Sequence, residues 1–110
     1  MAYISAMIFI ETPVFTRQIT DLVDDDDYAE FQRQLAEDPE AGDVIPGTGG
    51  LRKIRMAAKG RGKRGGARVI YYYFTSASQI ALLLAYTKNE AEDLTAAQKK
   101  ILKQVIELWR

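Results

Sequence analysis

The stretch LRKIRMAAKGRGKRGGARVIYYYF, residues 51–74, decides the fold because it has the pattern of two strands joined by a loop. Polar and apolar side chains alternate over residues 51–57, as they do in a strand with one buried face. Residues 67–74 are rich in β-branched and aromatic side chains, which favour strands. The segment between them, residues 58–66, is glycine-rich and basic and is predicted to be a loop. The sequence therefore predicts a β-hairpin with a cationic tip.

The chain before this hairpin predicts a strand and then a helix. Residues 7–10 (MIFI) have the composition of a short buried strand. Thr12 and Pro13 are typical of a helix start, with Thr12 as the N-cap and Pro13 in the first helical position. The apolar stripe expected for this helix comprises Val14, Gln18, Ile19 and either Leu22 or Val23.

A second helix is predicted to begin at the acidic run Asp24–Asp27, because acids in a first turn suit the helix dipole. The run does not alternate as a calcium-binding loop does, so a solvated helix start is the better interpretation. The apolar positions of this helix are Tyr28, Phe31 and Leu35. Pro39 and Gly42 end the helix, and residues 42–50 form a turn-rich connector to the hairpin.

The chain after the hairpin predicts a turn, a strand and a last helix. Residues 75–78 are small and polar, as in a turn, and residues 80–86 are continuously apolar, as in a central strand covered on both faces. Thr95 and Gln98 have the spacing of a capping box, which starts a helix. The stripe expected on this helix comprises Ala97, Ile101, Val105 and either Leu108 or Trp109.

The order of elements is strand, helix, helix, three antiparallel strands and helix. This order predicts an α+β fold in which an antiparallel sheet packs against the N-terminal helices and a C-terminal helix. A length of 110 residues suits a single domain over residues 1–110. No apolar run approaches the roughly 20 residues that a membrane span needs, and the start lacks a basic leader and a cleavage site. We therefore expect a cytoplasmic protein without membrane contacts.

Two residue types are absent, which narrows the possible chemistry. The chain has no cysteine and no histidine. Disulfides, thiolate nucleophiles, the common zinc sites and every catalytic pair built on histidine are therefore excluded. Catalysis would have to use carboxylates, lysines, arginines, tyrosines or backbone groups. No cofactor and no metal site are predicted.

The net charge of zero conceals a strong segregation of charge along the chain. Residues 1–50 hold eleven of the 15 acids and only two bases, whereas residues 51–68 hold eight bases and no acid. Such a polarised chain presents one anion-attracting face.

Three of these bases are candidates for catalysis. Lys53 and Arg55 share one face of the first hairpin strand, and Arg68 joins them if the register allows, which the sequence leaves open. Such a patch suits RNA cleavage by attack of a ribose 2′-hydroxyl on the adjacent phosphate, because cations stabilise the charge that develops on the phosphorus. The alternative is a surface that binds phosphates without catalysis, which is the commoner role of a basic hairpin.

The three consecutive tyrosines of the second hairpin strand alternate between its faces. At least one of them is expected in the core. Tyr72 is the candidate to stack on an RNA base, because it has the same parity as Arg68. Trp109 is interpreted as a packing residue of the last helix.

The sequence also resembles a known family. The elements GLRKIR (50–55), GKRGGARVIYY (62–72) and YxKNExxDL (86–94) together resemble the HigB branch of the RelE/ParE toxin superfamily. The resemblance extends from about residue 8 to the end of the chain, and the predicted order of elements agrees with that fold.

This resemblance implies a ribosome-dependent endoribonuclease that cuts mRNA in the ribosomal A site and that an antitoxin inhibits. It implies catalytic roles for Lys53, Arg55 and Arg68. The implied contacts to ribosomal RNA are Lys59, Arg61, Lys63 and Arg64. The implied antitoxin is a helix-turn-helix protein of the HigA type. The toxin would contact operator DNA only through this antitoxin.

The chain departs from the RelE pattern after its last strand. RelE has a further arginine there and a tyrosine a few residues later. In this sequence Asn89 stands in place of the arginine, and the late tyrosine is missing. Lys88 is the candidate for the missing cation, with Glu90 to orient it; the alternative is an exposed ion pair in a turn.

Two other functions remain open at this point. A ParE-like toxin would inhibit DNA gyrase without catalysis, and a plain RNA-binding module would not be toxic. The cations on both hairpin strands favour the nuclease, since a toxin that only blocks a protein has no need to clamp a phosphate.

Overall fold

The computed structural model describes residues 7–58, 62–87 and 94–109, with the backbone alone given for residues 57, 58 and 62–65. The elements in chain order are β1 (Ile8–Glu11), α1 (Pro13–Leu22), α2 (Asp25–Glu37), β2 (Asp43–Val44), β3 (Arg52–Ala58), β4 (Gly62–Phe74), β5 (Gln79–Thr87) and α3 (Ala96–Trp109). A short 3-10 turn, Thr75–Ala77, joins β4 to β5. Within these residues no helix is long and apolar enough to cross a membrane.

The five strands form one sheet in the order β1-β5-β4-β3-β2. β3, β4 and β5 are antiparallel neighbours, as predicted, and the two-residue strand β2 pairs with the start of β3. β1 lies parallel to β5, so the sheet is mixed. The predicted α+β class and order of elements are confirmed, and the parallel edge strand is the addition that the sequence pattern did not indicate.

Both faces of the sheet are covered. The first apolar core joins α1 and α2 to one face, and its buried residues include Phe15, Ile19, Phe31, Leu35 and Val69. The second core joins α3 to the other face, and its buried residues include Leu51, Ile70, Leu83, Leu102 and Ile106. Alternate residues of β4 therefore enter different cores, which accounts for the apolar character of most of its second half.

The predicted helix starts are confirmed by their hydrogen bonds. The backbone N–H of Phe15 donates to Thr12 Oγ1 at 3.0 Å, and Pro13 is the first residue of α1. The backbone N–H of Gln98 donates to Thr95 Oγ1 at 3.1 Å, while Gln98 Oε1 accepts from the Thr95 backbone at 2.9 Å. At α2 the N-cap is Asp24, whose carboxylate accepts from the Asp27 backbone N–H at 2.8 Å.

Two predictions about strands were wrong in detail. β1 is an edge strand and not a buried one, because only β5 adjoins it and the Ile8 side chain is 51% exposed. The predicted loop over residues 58–66 is shorter, since β4 already begins at Gly62. The ladder continues past a bulge between Met56 and Ala58 until Ala58 pairs with Gly62. Lys63 and Arg64 consequently belong to a strand.

The predicted stripe of α1 was right in part, and that of α3 was wrong. α1 buries Ile19 as predicted, and Leu22 and Val23 pack against the first core, but Phe15 is buried in place of Val14, which is 41% exposed. α3 buries Leu102 and Ile106, whereas Ile101 is 58% exposed and Leu108 is 84% exposed. Each helix has two adjacent apolar stripes with helical spacing, so periodicity alone could not choose between them. The predicted stripe of α2 is correct, since Phe31 and Leu35 are buried.

Tyr71 anchors the segment that leads from α2 to β3. Its side chain is fully buried, as expected for one of the three tyrosines, and its hydroxyl donates to the Pro39 carbonyl at 2.8 Å. The same hydroxyl accepts from the Gly42 backbone N–H at 2.9 Å. A Cβ at Gly42 would come within 2.8 Å of the Tyr71 ring, so the close approach requires glycine at that position.

The Tyr71→Phe variant is predicted to unfold with a free energy about 1–3 kcal/mol lower than the parent, because the buried Gly42 N–H and Pro39 carbonyl lose their partner. Denaturant unfolding followed by circular dichroism measures the difference. Tyr73→Phe is the matched control, since Tyr73 lies on the same face of β4 but is only partly buried. Equal losses in the two variants would contradict the anchoring role.

Tyr28 and Tyr71 give the fold a dependence on alkaline pH. Burial raises the pKa of Tyr28, and Glu11, which accepts the Tyr28 hydroxyl at 2.6 Å, raises that pKa further. Burial likewise raises the pKa of Tyr71. Because both folded-state values lie above the unfolded one, this stability is complete below about pH 10 and is lost as the pH rises beyond it.

We expect the free energy of unfolding to fall with increasing pH above about 10, and to fall less steeply in Tyr28→Phe. Denaturant titrations at a series of alkaline pH values measure both slopes. Identical slopes in the parent and the variant would show that Tyr28 makes no such contribution.

Candidate active site

The register between β3 and β4 brings three predicted cations to one face of the sheet. Arg55 and Arg68 are direct cross-strand partners, so their side chains leave the sheet on the same side, with Cβ atoms ~5 Å apart. Lys53 lies two residues before Arg55 and shares that side, ~7 Å away. We call these three residues the cationic cluster. The question of register that the sequence left open is thereby answered.

The cationic cluster lies on the α3 side of the sheet, beyond the part that α3 covers. On β3, Leu51 is fully buried in the core beneath α3, Lys53 is partly buried and Arg55 is exposed. On β4, Ile70 is fully buried and Arg68 is partly buried. Exposure thus increases along β3 toward the hairpin tip, and Arg68 of β4 lies beside the exposed Arg55.

Arg52 belongs to the other face of β3 and has a structural role. Its guanidinium donates to the carbonyl of Gly42 at 2.7 Å and to that of Glu40 at 3.1 Å, and it pairs with the Glu40 carboxylate at 3.2 Å. Arg52 therefore fixes the same segment that Tyr71 anchors. Arg52 thus lies on the opposite face of β3 from Lys53 and Arg55.

Acidic side chains border the outer edge of β3. Asp27, Glu30 and Gln34 of α2 line a cleft of about 200 Å³ together with Arg55 and Met56. The carboxylate of Glu30 is bonded to Arg33, and this hydrogen bond holds the pKa of the Glu30 carboxyl below its usual range. The cations and the acidic helix thus meet at this edge, so an anion would approach over the α3 side.

Tyr72 shares the face of the cationic cluster, as its parity predicted, but it is four residues and ~13 Å along β4 from Arg68. Its ring packs edge-on against Phe74, with centroids 4.7 Å apart, and a Cβ at Gly50 would lie 3.2 Å from it. The side chain remains partly exposed. Base stacking by Tyr72 stays a prediction.

The other candidate residues are only partly described. Lys88, Lys59 and Arg61 lie outside the described residues, as do Asn89 and Glu90. The backbone of Lys63 and Arg64 is in β4, and their side chains are outside the description. Their roles stay predictions.

Two features of this face were missed by the sequence reasoning. Tyr86 of β5 is the cross-strand partner of Arg68 on the side away from β3, and it is buried against the second core. Lys99 and Lys103 of α3 lie on the flank of the helix that faces β3. Neither position could be found from local sequence, because both depend on how distant elements pack.

Among residues 7–58, 62–87 and 94–109, no three Asp or Glu side chains come together in a way that could hold a metal ion.

Comparison with known proteins adds the family. Residues 14–109 match the family described as the RelE toxin of the RelE / RelB toxin-antitoxin system. The chain belongs to the RelE toxin family. It is thus a toxin of a type II toxin-antitoxin system. The HigB branch, to which its motifs were assigned, is a finer distinction that stays a prediction.

Solved RelE structures share the fold of this RelE-family toxin. A chain of the intact E. coli RelBE toxin-antitoxin complex superimposes with a TM-score of 0.57 at 14% identity, covering 74% of this chain and 96% of that one. The isolated E. coli RelE toxin gives a TM-score of 0.56 at 13% identity, covering 91% and 99% respectively. An arginine double mutant of E. coli RelE in the free state gives 0.56 at 14% identity, covering 79% and 88%.

Arg52 and Arg55 predict effects of different size on stability. Arg52→Gln should lower the free energy of unfolding by about 1–2 kcal/mol, because two carbonyl oxygens lose a charged donor. Arg55→Gln should change it by less than about 0.5 kcal/mol, because Arg68 repels the Arg55 charge while Asp27 and Glu30, which line the same cleft, attract it. Thermal unfolding at low and high salt measures both. Equal losses in the two variants would contradict the structural role of Arg52.

Proposed function

We propose that this RelE-family toxin is a ribosome-dependent endoribonuclease, which cuts mRNA in the ribosomal A site and so stops translation. The observation that carries the proposal is the pairing of Arg55 with Arg68 across β3 and β4, with Lys53 on the same face. Three cations so placed on one face can bind an anion, here the scissile phosphate.

The proposed reaction is an attack of the ribose 2′-oxygen on the adjacent phosphorus. The 2′-hydroxyl loses its proton to a base, the bond from phosphorus to the 5′-oxygen breaks, and an acid protonates that oxygen. The products are a 2′,3′-cyclic phosphate and a 5′-hydroxyl. The Arg55 and Arg68 guanidinium groups would bind the non-bridging oxygens, where negative charge increases in the transition state.

Lys53 is assigned as the base or as a further charge stabiliser, because it lies beside both arginines on the same face. Lys88 is assigned as a possible acid from the sequence alone. In this scheme the cations supply the charge stabilisation that a divalent metal gives in other nucleases, so the reaction proceeds without one.

The remaining bases of the hairpin are assigned to ribosome binding. Lys59, Arg61, Lys63 and Arg64 follow β3 closely in sequence and belong to a segment without acids. Such a segment suits the phosphates of ribosomal RNA, where it would position the toxin without reading sequence. Tyr72 is kept as a candidate for stacking on a base.

The proposed partner in the resting cell is a cognate antitoxin. The structural relative in the E. coli RelBE complex is itself bound to an antitoxin, which supports a partner of this kind. The motifs favour a helix-turn-helix protein of the HigA type, and contact with operator DNA would occur only through it. The antitoxin could cover the cationic cluster with acidic side chains or make the toxin too bulky for the A site.

We predict that the purified protein cuts a defined mRNA at the A-site codon of programmed ribosomes, as mapped by primer extension. The Lys53→Ala, Arg55→Ala, Arg68→Ala triple variant should not cut, because loss of even one transition-state donor typically slows a reaction by ~10²–10³. Ribosome-free mRNA should stay intact with either protein.

The control is an Arg17→Ala, Arg33→Ala variant, which removes two cations from the helices on the other face of the sheet. This variant should cut at the parental rate. Intact message with folded parental protein that still arrests growth would overturn the nuclease and favour inhibition of a protein such as gyrase. Cleavage by the triple variant would move the active site away from the cationic cluster.

A further inference from the structure

α3 has two chemically different flanks. Gln98, Ile101 and Val105 line an apolar groove against Thr12 and Val14 at the start of α1. On the opposite flank the Cγ and Cε atoms of Lys103 lie 3.9 and 3.8 Å from the position that a Cβ on Gly49 would take. Gly49 precedes β3 by three residues, so this second flank faces the β3 side of the sheet.

Lys99 lies on the same flank as Lys103, because residues four apart are neighbours on a helix surface. Lys99 is partly buried and Lys103 is exposed. The ion pairs found among residues 7–58, 62–87 and 94–109 engage Arg33 and Arg52, and they include neither lysine. The flank therefore presents two ammonium groups without an acidic neighbour bonded to them in this part of the chain.

The direction of α3 places these lysines relative to the cationic cluster. α3 ends at Trp109, whose ring centroid is 6.2 Å from that of Phe74 at the end of β4. At the other end of the helix Gln98 and Leu102 line a groove with Leu84 of β5, which pairs with Ile70 of β4. Lys99 follows Gln98 and therefore lies near the level of Ile70, which pairs with Lys53 across the hairpin.

The cations of β3, β4 and α3 thus lie on the same side of the sheet. From the Arg55–Arg68 pair they extend past Lys53 to Lys99 and Lys103 of α3, over a length on the order of 20 Å. Lys100 is also exposed, but as the i,i+3 neighbour of Lys103 it lies at the margin of this flank.

We propose that Lys99 and Lys103 form a second phosphate-binding section, which holds the backbone of single-stranded RNA on one side of the scissile phosphate. This inference rests on the proposed nuclease function and adds a binding surface on α3 to it. The two lysines bind and position the strand, and the bond-breaking step stays with the cationic cluster. A lysine ammonium suits this role, since it contacts phosphates without selecting a base.

The test compares Lys99→Gln, Lys103→Gln with an Arg17→Gln control, which removes an exposed cation from α1 on the other face of the sheet. Glutamine keeps the helix propensity and much of the aliphatic stem, so both proteins should fold alike, which thermal unfolding checks. The ligand is a short 2′-O-methyl RNA, whose blocked 2′-oxygen cannot attack. Its affinity is measured by fluorescence anisotropy over a range of salt concentrations.

Each phosphate contact that is lost should lower the slope of log affinity against log salt by ~0.7, so the double variant should lose ~1.4 and the control close to none. On programmed ribosomes the double variant should show a raised KM with kcat close to that of the parent. Equal slopes in the two variants, or no salt-dependent binding by the parent, would overturn the proposal.

The two proposals fail in different ways. A parent that binds the RNA with the predicted difference in slopes, but cuts nothing on ribosomes, would reject the nuclease and retain the binding surface. A parent that cuts in the A site, with slopes that do not distinguish the variants, would reject the role of Lys99 and Lys103 alone.

Discussion

The pairing of β3 with β4 is the constraint on which the rest of the structure depends. Ile54 faces Val69 and Met56 faces Ala67 on the side of α1 and α2, while Arg55 faces Arg68 on the other side. A slip of one residue in either strand would move the cations to the face of the apolar core and expose the apolar side chains to water. The apolar half of the pattern therefore sets the register, and the register places the cations.

The segment between α2 and β3 is held against this hairpin by two of the hairpin's own side chains. Tyr71 reaches through the first core to bond this segment at Pro39 and Gly42, and Arg52 bonds the same segment from β3. Both residues belong to the hairpin, and both contacts involve backbone atoms. The shape of the segment is thus specified largely by residues that belong to the strands, which leaves the acids on its surface free to vary.

Much of the architecture could be predicted from local chemistry. Thr12 with Pro13, and Thr95 with Gln98, mark helix starts because their side chains satisfy backbone groups a few residues away. The burial of one tyrosine in Tyr71–Tyr73 follows from the alternation of a strand. These signals act over short distances, so a single sequence contains them.

The features that were not predicted depend on contacts between distant residues. The buried face of α3 is chosen by how the helix fits the sheet, and the parallel pairing of β1 depends on β5, about 70 residues later. To predict that Arg55 pairs with Arg68, the strand register had to be known. To predict that Lys99 lies beside that face, the direction of α3 had to be known. The E. coli relatives share the fold at 13–14% identity, which shows how loosely individual residues determine it.

The first strand of the chain is completed by one of the last. β1 pairs with Gln79–Leu82 of β5, and Thr12 bonds both the Leu82 and Leu83 carbonyls, the latter through its side chain at 2.9 Å. During synthesis β1 emerges about 70 residues before its partner strand, since domains assemble as the chain is made. The sheet that presents the cations therefore stays incomplete until β5 has emerged. A protein whose proposed target is the ribosome would thus complete this sheet only after β5 has left the ribosome that makes it.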